Sequence, residues 1–106
     1  MNLPDPLTDC FAAANTDDAE RIASFFAEDA SVLDEKRNHV GRAAIRQWAR
    51  DVRSKTSFQS SVFKVDGDLE RPLVSAYVTG DFAGSPIDLT YQFEILHGEI
   101  TLLSIV

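Results

Sequence analysis

Apolar positions recur at helical spacing through the first half of the chain and at alternate positions through much of the second. Leu7, Cys10, Phe11 and Ala14 fall at i, i+3, i+4 and i+7, which predicts a short amphipathic helix ending near Asn15. Asp5 before Pro6 is a suitable start, since the carboxylate can cap free amides and proline fits the first helical position. A second helix is expected at once, with Asp17 and Glu20 as a capping-box-like start and Ala19, Ile22, Ala23 and Phe26 as its buried stripe. From Ala30 to Asp34 the period falls to two, which places Ala30, Val32 and Asp34 on one face of a short strand. Glu35 to His39 reads as a polar loop, and Gly41 leads into a third helix with Ala44, Ile45, Trp48 and Val52 on one side.

Beyond Ser57 the helical period disappears, and turn signals at Asp66-Gly67-Asp68, Ala83-Gly84-Ser85 and His97-Gly98 divide a strand-forming region into an antiparallel meander. Its clearest strand puts Ile87, Leu89, Tyr91, Phe93 and Ile95 on a covered face and Asp88, Thr90, Gln92 and Glu94 on a polar one. Helices first and strands afterwards predict an α+β fold, in which a curved antiparallel sheet covers its apolar face with three N-terminal helices. The absence of repeats and linkers makes residues 1–106 a single expected domain.

Composition narrows the function. Seventeen acidic and ten basic residues give a formal charge of -7, which repels a phosphate backbone and argues against nucleic acid as a partner. The basic residues between Arg42 and Lys55 alternate with apolar ones at helical spacing and read as a wet helix face. A lone Cys10 forms no internal disulfide and suits a reducing compartment. No stretch approaches a membrane span, and the first residues lack the basic start and apolar run of a signal peptide, so a cytoplasmic location is expected. Asp34, Glu35 and His39 are too few and too flexibly spaced for a metal site, no Gly-x-Ser-x-Gly elbow exists, and no cofactor is expected.

The run Ala13-Ala14-Asn15-Thr16-Asp17-Asp18, then Ile22, Phe25-Phe26-Ala27-Glu28-Asp29-Ala30-Ser31-Val32-Leu33-Asp34 and Gly41-Arg42-Ala43-Ala44-Ile45-Arg46 resembles the N-terminal half of SnoaL-like proteins. These belong, with the ketosteroid isomerases, to the nuclear-transport-factor-2-like superfamily. The resemblance implies a conical fold with a pocket open at one end, a hydrophobic small-molecule ligand and frequent homodimers. It also places Asp34 where similar isomerases carry their proton-shuttling carboxylate. The tyrosine those enzymes carry on the first helix corresponds to Cys10, and their late-strand aspartate to Tyr91, which points away from steroid chemistry.

Asp34 shares the face of Ala30 and Val32, where desolvation would strengthen it as a base; the other reading is a strand end that caps its turn. Tyr91 either offers its hydroxyl to a ligand or spends it inside the core. His39 is the candidate second acid or base at the pocket mouth, or a solvated loop residue. Phe11, Trp48, Phe63, Val78 and Phe93 are the expected walls, or plain core. Two functions remain open beside a proton-transferring isomerase or cyclase: a non-catalytic carrier of an apolar molecule, and a dimerisation module using the polar sheet face.

Overall fold

The computed structural model describes residues 3–16 and 18–105. Helix α1 (Leu7–Ala14) buries Leu7, Cys10 and Ala13. Asp5 does not cap it. Pro6 holds the N-cap position without a side-chain bond, and the Leu7 N–H donates instead to the Pro4 carbonyl at 2.7 Å. Helix α2 (Ala19–Ser24) is capped by Asp18, whose carboxylate accepts the Arg21 N–H at 3.0 Å; Asp17 lies outside the described residues.

The second helix is shorter than its apolar spacing suggests, because Phe26 opens strand β1 (Phe26–Asp34). Phe26 is fully buried in either setting, so the spacing alone does not separate them. The pairing of β1 is irregular between Phe26 and Ser31 and becomes regular afterwards. That explains why period two is legible only from Ala30 onward.

Residues 35–39 are not a loop. Glu35 and Lys36, at φ 51° and 66°, form a tight turn into strand β2 (Arg37–Val40), which pairs antiparallel with β1 and sets His39 opposite Val32. Two positive φ values suit the twist of a short hairpin. The turn lacks the glycine that usually announces one. Gly41, at φ 90°, then starts helix α3 (Arg42–Lys55), which buries Ile45 and Ala49.

Strands β3 (Phe58–Gly67), β4 (Pro72–Gly80), β5 (Ile87–Leu96) and β6 (Glu99–Ile105) form the expected meander. Together the six strands run β2-β1-β6-β5-β4-β3 in one sheet. The fold is α+β, but its sheet is mixed, since β1 lies parallel to β6 while the other pairs are antiparallel. No hairpin joins β1 to β6, so nothing in their connection imposes an antiparallel approach. The three helices cover one face, and Leu7, Phe26, Val32, Ile45, Val74 and Ile100 are fully buried beneath them.

Candidate functional site

A cavity of about 910 Å³ opens between α1, α3 and the covered face of the sheet. Phe11 comes from α1, Trp48 from α3, Val78 from β4, and Tyr91 and Phe93 from β5. Period two on β5 and helical spacing on α1 aim these side chains at one space. The Phe11 ring meets Tyr91 edge-on, with centroids 5.1 Å apart, and Tyr91 and Phe93 lie nearly parallel at 6.3 Å. A shallower hollow of about 590 Å³ beside α1 and α2 carries no comparable set of walls.

Asp34 ends β1 at this cavity. Its Oδ2 accepts the Trp48 indole N–H at 3.0 Å, while Oδ1 accepts no protein hydrogen bond among the described residues. Trp48 thereby orients the carboxylate, and the ladder from Leu33 to Arg37 fixes the backbone behind it.

Tyr91 is the second polar group. Burial pushes its phenol above the ordinary tyrosine value; a hydrogen bond with the Ser60 side chain opposes that, and the charges of Asp34 and Cys10 add to it. Tyr91 is therefore a neutral O–H at physiological pH. Cys10 also lines the cavity, but burial pushes its thiol from 9.0 to about 12. It offers neither a nucleophile nor an acid at neutral pH.

Two expected residues lie elsewhere. Phe63 is 49% exposed and is not a wall, because Phe58, Ser60 and Val62 hold the inward face of β3 and alternation turns Phe63 outward, beside a bulge between Val62 and Lys64. His39 is half-buried on β2 and does not line the cavity; its ring flanks Trp48, with centroids 6.1 Å apart. Among the described residues no three metal-ligating side chains converge.

Sequence reasoning overlooked three residues that shape the site. Arg53 lines the cavity from α3 and ties it shut, donating through Nη1 to the Phe58 carbonyl at 3.0 Å and through Nη2 to the Ala14 carbonyl. Its guanidinium also lies 4.1 Å from the centroid of the Phe58 ring. Asn15 clasps the edge strand: its Nδ2 donates to the Ser60 carbonyl at 3.0 Å and its Oδ1 accepts the Ser60 N–H at 2.8 Å. Ser60 was findable, since Phe58, Ser60 and Val62 fall at period two and make a serine the odd member of an inward face. Asn15 and Arg53 carried no local signal, because their partners lie on other elements.

The SnoaL-like domain family matches residues 7–101. A solved protein of Sinorhizobium meliloti, described as a proposed polyketide cyclase, is 36% identical, with 98% of this chain and 95% of that one aligned at a TM-score of 0.93. A Catenulispora acidiphila protein with a ketosteroid isomerase-like fold, solved with trimethylamine, is 18% identical over 99% and 86% of the two chains at a TM-score of 0.88. A cystatin-fold protein of Novosphingobium aromaticivorans is 14% identical over 94% and 93% at 0.78. These last two speak for the fold alone. No curated protein matches. A family pattern covering most of the sequence and a relative aligned over nearly all of it agree with the observed sheet, helices and cavity, and the chain belongs to the SnoaL-like family.

Proposed function

We propose that this protein is a small isomerase or cyclase that moves a proton on a hydrophobic carbonyl compound, with Asp34 as the base. One observation carries the reading: a carboxylate stands in the wall of an apolar cavity with one oxygen held by the Trp48 indole and the other without a protein partner among the described residues. A carbonyl compound whose α-carbon faces Oδ1 gives up a proton there, and the negative charge that develops on its oxygen needs a donor. Tyr91, neutral and facing the same cavity, is the group suited to that task. Asp34 then returns the proton at another carbon. The Sinorhizobium meliloti relative supports a cyclase-type reaction class.

The composition of the walls favours a second reading, a non-catalytic carrier, because the cavity offers few polar groups beside a large apolar surface. Exchange of the α-protons of 2-tetralone in deuterated water, followed by proton NMR, separates the two. The native protein is expected to accelerate exchange, and Asp34→Asn to slow it by at least about a hundredfold, as for loss of a general base. Exchange no faster with the native protein than with Asp34→Asn overturns the enzymatic reading and leaves the carrier.

A further inference from the structure

Strand β2 sends one side chain inward. Arg37, Asn38 and Val40 are exposed, whereas His39 is half-buried. Register explains the difference: His39 lies directly opposite Val32, so the two share the covered face of the sheet, which Asp34 joins two residues further along β1. Helix α3 packs against this corner, and the ring of its Trp48 lies 6.1 Å from the His39 ring at a tilt of 37°. That separation is within the range of ring-to-ring contact.

Two contacts therefore attach Trp48 to the β1–β2 hairpin: the hydrogen bond from Nε1 to Asp34 Oδ2 at 3.0 Å, and the His39 ring. The hydrogen bond alone fixes one point of the indole and not its plane, and the torsion that turns a tryptophan ring is broad. Trp48 also borders the cavity, so that side supplies no close packing, whereas His39 stands outside it. A ring with open space beside it needs backing. The same breadth of torsion applies to Asp34: without the indole on Oδ2 its two oxygens can trade places, and proton transfer requires one of them held at the reacting carbon.

We infer that His39 is a positioning residue that acts through Trp48, its ring holding the indole plane so that Nε1 stays on Asp34 Oδ2 and Oδ1 is left for the ligand. The inference rests on the reading of Asp34 as the base. It returns His39 to the site in a role other than acid or base, since the imidazole does not line the cavity. The arrangement uses the flat ring rather than its nitrogens, so phenylalanine is expected to serve in its place and alanine is not.

Trp48 is the one tryptophan of the chain, so an isotope-labelled sample shows a single indole N–H resonance. Solvent exchange of that hydrogen, measured by NMR without ligand, reads the Trp48–Asp34 bond. His39→Ala is expected to speed it about three- to tenfold, the range for one weakened hydrogen bond, and His39→Phe to keep the native rate. On 2-tetralone, His39→Ala is expected to lower kcat for α-proton exchange about three- to tenfold with KM unchanged, as for a contact that matters only in the transition state. In the Trp48→Phe protein, which lacks the donor, adding His39→Ala is expected to cost nothing further, since coupled partners are not additive. An indole exchange rate that His39→Ala leaves unchanged overturns the inference. So does a His39→Phe rate as fast as that of His39→Ala, or a kcat loss from His39→Ala that persists in the Trp48→Phe protein. If the native protein turns over no 2-tetralone, the reading of Asp34 as base falls, and the indole rates still decide whether His39 holds Trp48.

Discussion

Cys10 illustrates how little a residue type says without its surroundings. A thiol on a helix is chemically versatile, yet here burial pushes it from 9.0 up to about 12. Because the folded value lies above the unfolded one, the thiol's contribution to stability is complete below pH 9 and is lost as pH rises toward 12. The slope is about 1.4 kcal/mol per pH unit across that window. Urea denaturation at pH 9 and pH 11 is expected to show a native protein losing more stability than Cys10→Ala. Tyr91 loses stability at high pH in both proteins and cancels in the comparison; an equal loss in the two would contradict the buried thiol. Tyr91 and Asp34 were legible as candidates because period two puts them on covered faces, and Ser60 was overlooked although the same rule reaches it.

At the scale of elements, the turn between β1 and β2 deserves a test of its own. Lys36 is exposed and holds φ 66°, a conformation that costs a side-chain-bearing residue about 1–2 kcal/mol and glycine almost nothing. Lys36→Gly is expected to stabilise the protein by about 0.5–1 kcal/mol, once the greater freedom of glycine in the unfolded chain is subtracted. Thermal denaturation should register this as a rise of a few degrees, and a fall would show that Lys36 contributes contacts of its own. The same missing glycine hid β2 from sequence reasoning and displaced His39 from a loop to a strand. Helix α2 was overextended for a different reason: Phe26 satisfies a helical stripe and a buried strand start equally well, and the choice is made by pairing with Ile100 of β6.

The whole molecule is closed at one corner by contacts that cross element boundaries. Arg53 of α3 reaches the last carbonyl of α1 and the first residue of β3, and Asn15 of the α1 C-terminus fastens the edge of the sheet. Arg53→Leu is expected to cost about 2–4 kcal/mol in urea denaturation, the range for leaving two carbonyls without a charged donor. Unchanged stability together with altered 2-tetralone binding would mean instead that the guanidinium serves the ligand. The cavity depends on this corner, since Phe58, Arg53 and Ser60 all line it.

Local pattern determined which residues turn inward: helical stripes on α1 and α3, alternation on β1 and β5, and through them Asp34, Trp48, Tyr91 and Phe93 as neighbours of one space. Those signals are carried by the side chains and spacing of one segment, so a linear reading recovers them. Tertiary structure decided the rest. The parallel pairing of β1 with β6, the bulge after Val62 in β3, the indole on Asp34 and the Asn15 clasp on Ser60 join residues from 14 to 74 positions apart or break a strand's alternation against its neighbour. Such contacts depend on where the segments meet, and spacing within a segment holds no record of that.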